Sequence, residues 1–323
     1  MLVVSKGLTD IPGLLVGHAS DLEAITGCTA ILCPGGAVAG VDIRGSASGT
    51  QEIDTLSPLH VTDSIHGLVF AGGSSYGLEA ASGVRRFLEQ KGIGFETRAA
   101  RVPIVPSAIL YDLAIGQAGV RPTREMGFAA AAAATDGPVA EGNAGAGTGC
   151  TVGKLHGMAR AMKGGLGTYT VALGNGLLVS ALAAVNALGD VLDPKTGKII
   201  AGARQEGNSR AFVNTAEAMK RGAGASFKGA SNTTLVAVAT NAKLTKVTAT
   251  KVAQLAQIGL TRTIWPAHTM VDGDIVFCLS PLSSTAGADV IALGIAAAEA
   301  VSEAILRAVR MAKKLGGVPG LAD

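Results

Sequence analysis

Aromatic residues make up only 3% of this 323-residue chain, with a single Trp. A core built on large rings is therefore excluded, and small and aliphatic side chains must fill the interior. Charge is scarce as well, at 16%, and the net balance of +3 is too weak to argue for nucleic acid or a membrane surface as a partner. With 48% hydrophobic residues the chain is not a disordered one. Cysteine is limited to Cys28, Cys33, Cys150 and Cys278, widely scattered and without zinc-knuckle spacing. Buried free thiols in a reducing compartment are the expectation. The first residues, Met1-Leu2-Val3-Val4-Ser5-Lys6, lack a signal peptide's basic start and long apolar stretch. No apolar run approaches the roughly 20 residues of a membrane span, so a cytoplasmic protein is expected. No repeat of solenoid period occurs.

What the chain has in abundance is glycine, 45 residues, together with alanine. Such a composition lets backbones pack closely. The length is ample for a core, and a single domain over 1–323 is expected. Residues 10–45 read as short strands with tight turns, among them Leu14 to His18 and Cys28 to Cys33, and Arg44 to Asp54 as a loop. Ile65 to Ala71 is a strand, and Leu78 to Lys91 a helix closed by Gly92. Residues 107–119 read as helical. Tyr169 to Leu173 is a strand, Asn175-Gly176 a turn, and Leu177 to Leu188 a helix ending at Gly189. Asp193 to Gly197 is a turn. Residues 201–232 are polar and read as a mobile connector. Thr245 to Gly259 has helix spacing with Gly259 as its stop, and Ala288 to Lys314 is a long amphipathic helix. Strands and helices do not alternate strictly, so a layered α+β sandwich fits better than a doubly wound sheet.

Several stretches carry chemistry. Gly73-Ser74-Ser75-Tyr76-Gly77 fits G-x-S-x-G between a strand and a helix, which would make Ser75 an esterase nucleophile. The plain alternative is a tight turn with a serine cap. A phosphate-cradling turn is a further option, although the Lys-Ser/Thr of a P-loop is missing. Glu141 to Lys154 is dense in glycine but does not follow G-x-G-x-x-G, and Lys154 just beyond it is by ordinary expectation a solvated lysine. Asn186 would cap its helix or face solvent.

The remaining candidate is Asn232-Thr233. A polar, glycine-rich segment ends there, and Thr233 opens a continuous apolar run through Ala239 that suits a strand buried on both faces. A Thr hydroxyl needs a base to take its proton. A cut before Thr233 would supply one, because the new α-amine, with a reference pKa of roughly 7.7–8.0, lies beside the hydroxyl. Asp272 and Asp274, one residue apart and on one face of an extended strand, are candidate holders of that amine. Lys154 and Asn186 are candidates for positive charge and an amide donor at the oxyanion. Against this, Asp-Gly is a frequent turn dipeptide.

Taken together, Thr9 to His18, Gly72 to Leu78, Gly142 to Lys154, Asn232 to Ala242 and Asp272-Gly273-Asp274 resemble the P1 family of self-processing peptidases along nearly the whole chain. That family includes L-aminopeptidase/D-amino-acid esterases, β-peptidyl aminopeptidases and 6-aminohexanoate-oligomer (nylon oligomer) endo-hydrolases. The resemblance implies a four-layer αββα sandwich similar to N-terminal-nucleophile hydrolases. It also implies autocleavage into an α chain, 1–232, and a β chain, 233–323. Thr233 is then the nucleophile, Asp272 and Asp274 its supporting acids, Lys154 the family lysine and Asn186 the oxyanion asparagine, while Ser75 becomes part of a structural turn. No cofactor or metal is implied. The implied partner is a small amide or peptide substrate, and the implied assembly a homo-oligomer of αβ units. A Thr nucleophile and an Asp/Asp pair resemble the nylon-oligomer branch. The aminopeptidase branch uses an upstream tyrosine, and 126–134 has Met126, Phe128 and alanines, with no Tyr.

Overall fold

The computed structural model describes residues 5–207, 209, 211–223 and 232–323. Nine strands make its main sheet: β1 (Leu15–Asp21), β2 (Thr26–Ile43), β3 (Thr50–Gln51), β4 (Ile65–Ala71), β5 (Ser107–Ile109), β6 (Gly165–Ala172), β7 (Leu178–Asn186), β8 (Thr233–Thr240) and β9 (Ile275–Pro281). The helices are α1 (Ala80–Gln90), α2 (Arg124–Ala132), α3 (Thr215–Lys220), α4 (Lys246–Thr263) and α5 (Val290–Arg310). The strand order is β6-β7-β8-β9-β2-β4-β5-β3, with β1 also on β2.

β2 divides this sheet into two leaves. Its first half pairs with β1 and β4, and its last seven residues pair with β9. Between them the register shifts at Leu32/Ala37, across Pro34-Gly35-Gly36. Proline donates no ladder hydrogen bond and Gly36 adopts φ +81°, so the ladder is interrupted there. Much of 10–45, expected to be short strands with tight turns, is thus a single long strand bent in its middle.

The two leaves face each other across a shared core. Ile31, Leu68 and Phe70 from one leaf cluster with Leu182, Leu235, Ala237, Ile275 and Phe277 from the other. The Phe70 and Phe277 rings meet at 5.8 Å between centroids. Alternate residues point outward. Val236, Val238, Val276 and Cys278 pack on α4 and α5, and Ala30, Leu32 and Val69 pack on α1 and α2. The result is the four-layer αββα sandwich, and the period of two along each strand produces it.

Three expectations are corrected. Leu177 to Leu188 is not a helix: Leu178–Asn186 is strand β7, between β6 and β8. Both its faces are buried, so its side chains show no alternation, and its leucines and alanines suit a helix equally well. Residues 107–119 are not helical either. Ser107–Ile109 joins β4 in parallel, and the following chain turns towards the site. Finally, Gly259 does not stop α4, which runs on to Thr263. A side chain at 259 would lie 2.1 Å from the Ala298 carbonyl oxygen, so this glycine lets α4 and α5 approach closely. Residues 224–231 of the expected polar connector lie outside the described residues. No helix of the described residues is long and apolar enough to cross a membrane.

Candidate active site

β8 and β9 run parallel, so their first residues lie side by side. This places Asp272-Gly273-Asp274, just ahead of β9, at the Thr233 end of β8, where Asn232 bridges to Asp272. β7 runs antiparallel to β8, so its last residue, Asn186, is the register partner of Thr233. Topology alone thus gathers four of the five expected residues at one sheet end.

The fifth, Lys154, arrives from the glycine-rich loop. The Gly153 and Lys154 N–H groups donate to the carbonyls of Gly189 and Leu188 at 3.1 and 3.2 Å, which ties this loop to the chain just past Asn186. Lys154 Nζ then donates to the main-chain oxygen and to Oδ1 of Asn186, each at 2.9 Å. It is 6% exposed, and not the solvated surface lysine of ordinary expectation. Burial pushes its pKa down to about 7, while nearby Cys150, Asp272 and Asp112 oppose the shift. The loop itself stands on a second buried lysine: Lys163 Nζ donates to the carbonyls of Thr148 and Cys150, both at 2.7 Å.

The acids are 1% exposed each. Asp274 Oδ1 accepts from the Thr234 N–H at 2.7 Å. Asp272 Oδ1 accepts from the Leu188 N–H at 3.4 Å. Burial raises the Asp272 pKa to about 6, and the neighbouring Asp274 carboxylate adds to the rise. A carboxyl group with its pKa raised to about 6 and a lysine with its pKa lowered to about 7 therefore share a buried site, and such shifts cluster at functional sites.

At the Asn232–Thr233 peptide, Thr233 Oγ1 lies 2.5 Å from the Asn232 carbonyl oxygen. The Gly273 N–H donates to that same oxygen at 2.8 Å. Hydroxyl and donor thus meet on one carbonyl. Glycine is required at 273, because a Cβ there would lie 2.7 Å from Thr233 Oγ1 and 2.8 Å from the Ala47 oxygen. The Asn186 amide turns its Nδ2 to the Tyr111 carbonyl at 2.8 Å, and its Oδ1 accepts from the Thr151 N–H at 3.1 Å.

A cavity of about 170 Å³ opens beside this group, lined by Tyr111, Ile115, Thr151, Lys154 and Met158 among others. Its wall includes Asp112, whose two oxygens are taken by Thr26 Oγ1 at 2.7 Å and the Gly73 N–H at 2.6 Å. The wall's tyrosine is therefore Tyr111, ahead of the 126–134 segment. No motif surrounds it in the sequence, and only the turn after β5 brings it here. Gly273 carries a signal, the Asp-Gly-Asp spacing, but as an apparent turn. His268 and Thr269, which contact the acids, carry none.

Ser75 stands apart. It is exposed, in a 3-10 turn (Ser74–Glu79) entered through Gly73 at φ +80°. Among the described residues no histidine or acid bonds to its hydroxyl, so the arrangement of a serine triad is missing. The same turn is held from below by Asp112, which places a buried carboxylate where a phosphate cradle would need donors.

Known proteins are similar to this chain in sequence and in fold. The model of peptidase family S58 matches residues 6–322. An uncharacterized aminopeptidase of Mycobacterium leprae is 37% identical, over 99% of this chain and 94% of its own length. A 6-aminohexanoate-oligomer endohydrolase of Kocuria sp. is 32% identical, over 93% of this chain and 85% of its own. The solved L-aminopeptidase D-Ala-esterase/amidase of Ochrobactrum anthropi, described as a variant of the Ntn-hydrolase fold, superposes with a TM-score of 0.71 at 22% identity, covering 97% of this chain and 88% of that one. The chain belongs to peptidase family S58, as a peptide- or amide-bond hydrolase with the N-terminal-nucleophile fold.

Proposed function

We propose that the protein cuts itself between Asn232 and Thr233 and then hydrolyses linear amides through an acyl-Thr233 intermediate. The observation that carries this reading is the shared carbonyl: Thr233 Oγ1 and the Gly273 N–H both address the Asn232 oxygen. In the first reaction the Thr233 hydroxyl loses its proton and its oxygen bonds to the Asn232 carbonyl carbon. Lys154, with a pKa near 7, has the neutral amine to take that proton. The Gly273 N–H stabilises the oxyanion. The C–N bond then breaks and the proton passes to the leaving nitrogen. This leaves an Asn232–Thr233 ester and a free Thr233 amine. Water hydrolyses the ester, giving an Asn232 carboxylate and a chain that begins at Thr233.

In the second reaction the Thr233 amine serves as base for its own hydroxyl, held by Asp272 and Asp274. The hydroxyl attacks the substrate carbonyl, the amine product leaves, and water releases the acid from Thr233. Asn186, whose Nδ2 faces Tyr111 at the cavity wall, and Lys154 serve the substrate's oxyanion. The cavity's modest volume, with Ala114, Ile115 and Met158 in its lining, suits an extended, unbranched acyl chain. This favours a linear amide of the 6-aminohexanoate-oligomer kind. The 37% identity to a protein named as an aminopeptidase favours removal of N-terminal residues as a second reading. Assembly of αβ units belongs to the same proposal; Ile291 and Ile295, one turn apart on α5, are each 67% exposed.

The test is a substrate panel of α-peptides, β-peptides and 6-aminohexanoate oligomers, with products identified by mass. Internal cleavage products from the oligomers support the first reading, and single residues released from peptide N-termini the second. The glycine at the junction offers a separate check. Gly273→Ala places a methyl against Thr233 Oγ1 and is expected to slow self-cleavage by on the order of 100-fold, as displacement of reacting atoms by an ångström does. Gel electrophoresis over time would show the uncut chain persisting. Cleavage at the wild-type rate would count against the close packing of residue 273 on Thr233 Oγ1.

A further inference from the structure

The chain between α4 and β9 delivers the acid pair, and two consecutive residues of it hold the two carboxylates. The His268 N–H donates to Asp274 Oδ2 at 2.9 Å, and His268 Nδ1 lies 3.1 Å from the same oxygen. The Thr269 N–H donates to Asp272 Oδ2 at 3.2 Å, and Thr269 Oγ1 donates to that oxygen too. Each acid is thus gripped on one oxygen by a main-chain and a side-chain donor of a single residue. The grip on Asp274 leaves Oδ1 turned to the Thr234 N–H.

His268 adopts φ +58°. A residue with a Cβ rarely takes this left-handed conformation; besides glycine, asparagine, aspartate and histidine are the residues that take it most often. From this conformation the imidazole makes its contact with Asp274. Its ring is 20% exposed and the Asp274 side chain 2%, so the bond lies largely out of water. With a carboxylate as acceptor, Nδ1 carries the hydrogen.

We propose that His268 is a positioning residue for Asp274: its Nδ1–H fixes the carboxylate so that Oδ1 faces the first residues of β8. This rests on the reading in which Asp274 serves the Thr233 amine. Without the bond, Asp274 keeps only the main-chain donors of His268 and Thr234, and the acceptor offered to the amine is held less firmly.

Three full-length variants separate the imidazole from the backbone. His268→Gly relieves the left-handed residue but supplies no donor. His268→Asn tolerates the same φ and carries an amide N–H at the reach of Nδ1. His268→Gln carries its amide at the longer reach of Nε2. Turnover of the amide shown to be a substrate is measured on each processed protein, with folding checked by circular dichroism. In His268→Gly, kcat is expected to fall roughly ten- to hundredfold with KM little changed, the loss of one charge-assisted hydrogen bond. His268→Asn is expected to recover most of it, and His268→Gln not. Should the glycine variant fail to fold, the Asn and Gln variants carry the comparison. A cut, active wild type whose Gly and Asn, or Asn and Gln, variants are indistinguishable would overturn the positioning role alone. A wild type that neither cuts itself nor turns over would remove the underlying reading and this one with it.

Discussion

Thr233→Ala is expected to remain one uncut chain and to lose amide hydrolysis altogether. The substitution removes the only hydroxyl placed on the Asn232 carbonyl oxygen among the described contacts, so self-cleavage loses its nucleophile and turnover loses both nucleophile and α-amine. The fall in activity should reach at least about 10⁴-fold, in line with removal of a covalent nucleophile. The fold should survive. The position is buried at the end of β8 and the change removes only a small polar group, so melting should shift by a few degrees at most. Thr233→Ser is the matching control, since it keeps a hydroxyl in place and is expected to cut itself. Electrophoresis and turnover on the three proteins decide the point. An uncut Thr233→Ala protein that still hydrolyses the substrate would assign the chemistry elsewhere.

The second large effect belongs to Lys154. Lys154→Met keeps an unbranched, buried side chain but removes both donations to Asn186. Self-cleavage and turnover are each expected to fall by roughly 10²- to 10³-fold, the cost of losing one preorganised polar group at the reacting centre. The pH dependence gives this an independent signature. Lys154 loses its neutral amine as pH falls through about 7, and Asp272 loses its negative charge as pH falls through about 6. Both changes remove the basic form, so the self-cleavage rate should drop on the acid side across pH 7 to 6. In Lys154→Met the residual rate should keep only the lower limb, near 6. Rates of fragment formation across pH 5 to 9 would show this. A wild-type rate independent of pH below 7 would contradict the role given to Lys154.

Some of this architecture is legible in the chain. Thr233 at the head of an apolar run reads directly as a buried strand, and β8 is buried at every position. The Asp-Gly-Asp spacing and the glycine-rich approach to Lys154 are local patterns, and local patterns survive in sequence. The position of Asn186 is different. Leu178 to Asn186 is sandwiched between other strands and covered on both faces, so neither period two nor period 3.6 stands out, and its alanines tip the balance towards helix. Reading it as a helix hides the register pairing that sets Asn186 beside Thr233. Tyr111, Lys163 and His268 are hidden for another reason. Their partners, Asn186, the carbonyls of Thr148 and Cys150, and Asp274, are set by folding and by loop conformation rather than by a motif. Ser75 is the converse, a motif with the right letters and no partners. The four layers themselves are legible only by resemblance, because the bend that splits the sheet sits inside a single strand, β2.

The most direct test of the central claim is the mass of the purified, active protein under denaturing conditions, combined with N-terminal sequencing. Two polypeptides corresponding to residues 1–232 and 233–323, the second beginning Thr-Thr-Leu-Val, are the predicted result. A fully active preparation consisting of one chain, with the Asn232–Thr233 bond intact, would contradict it.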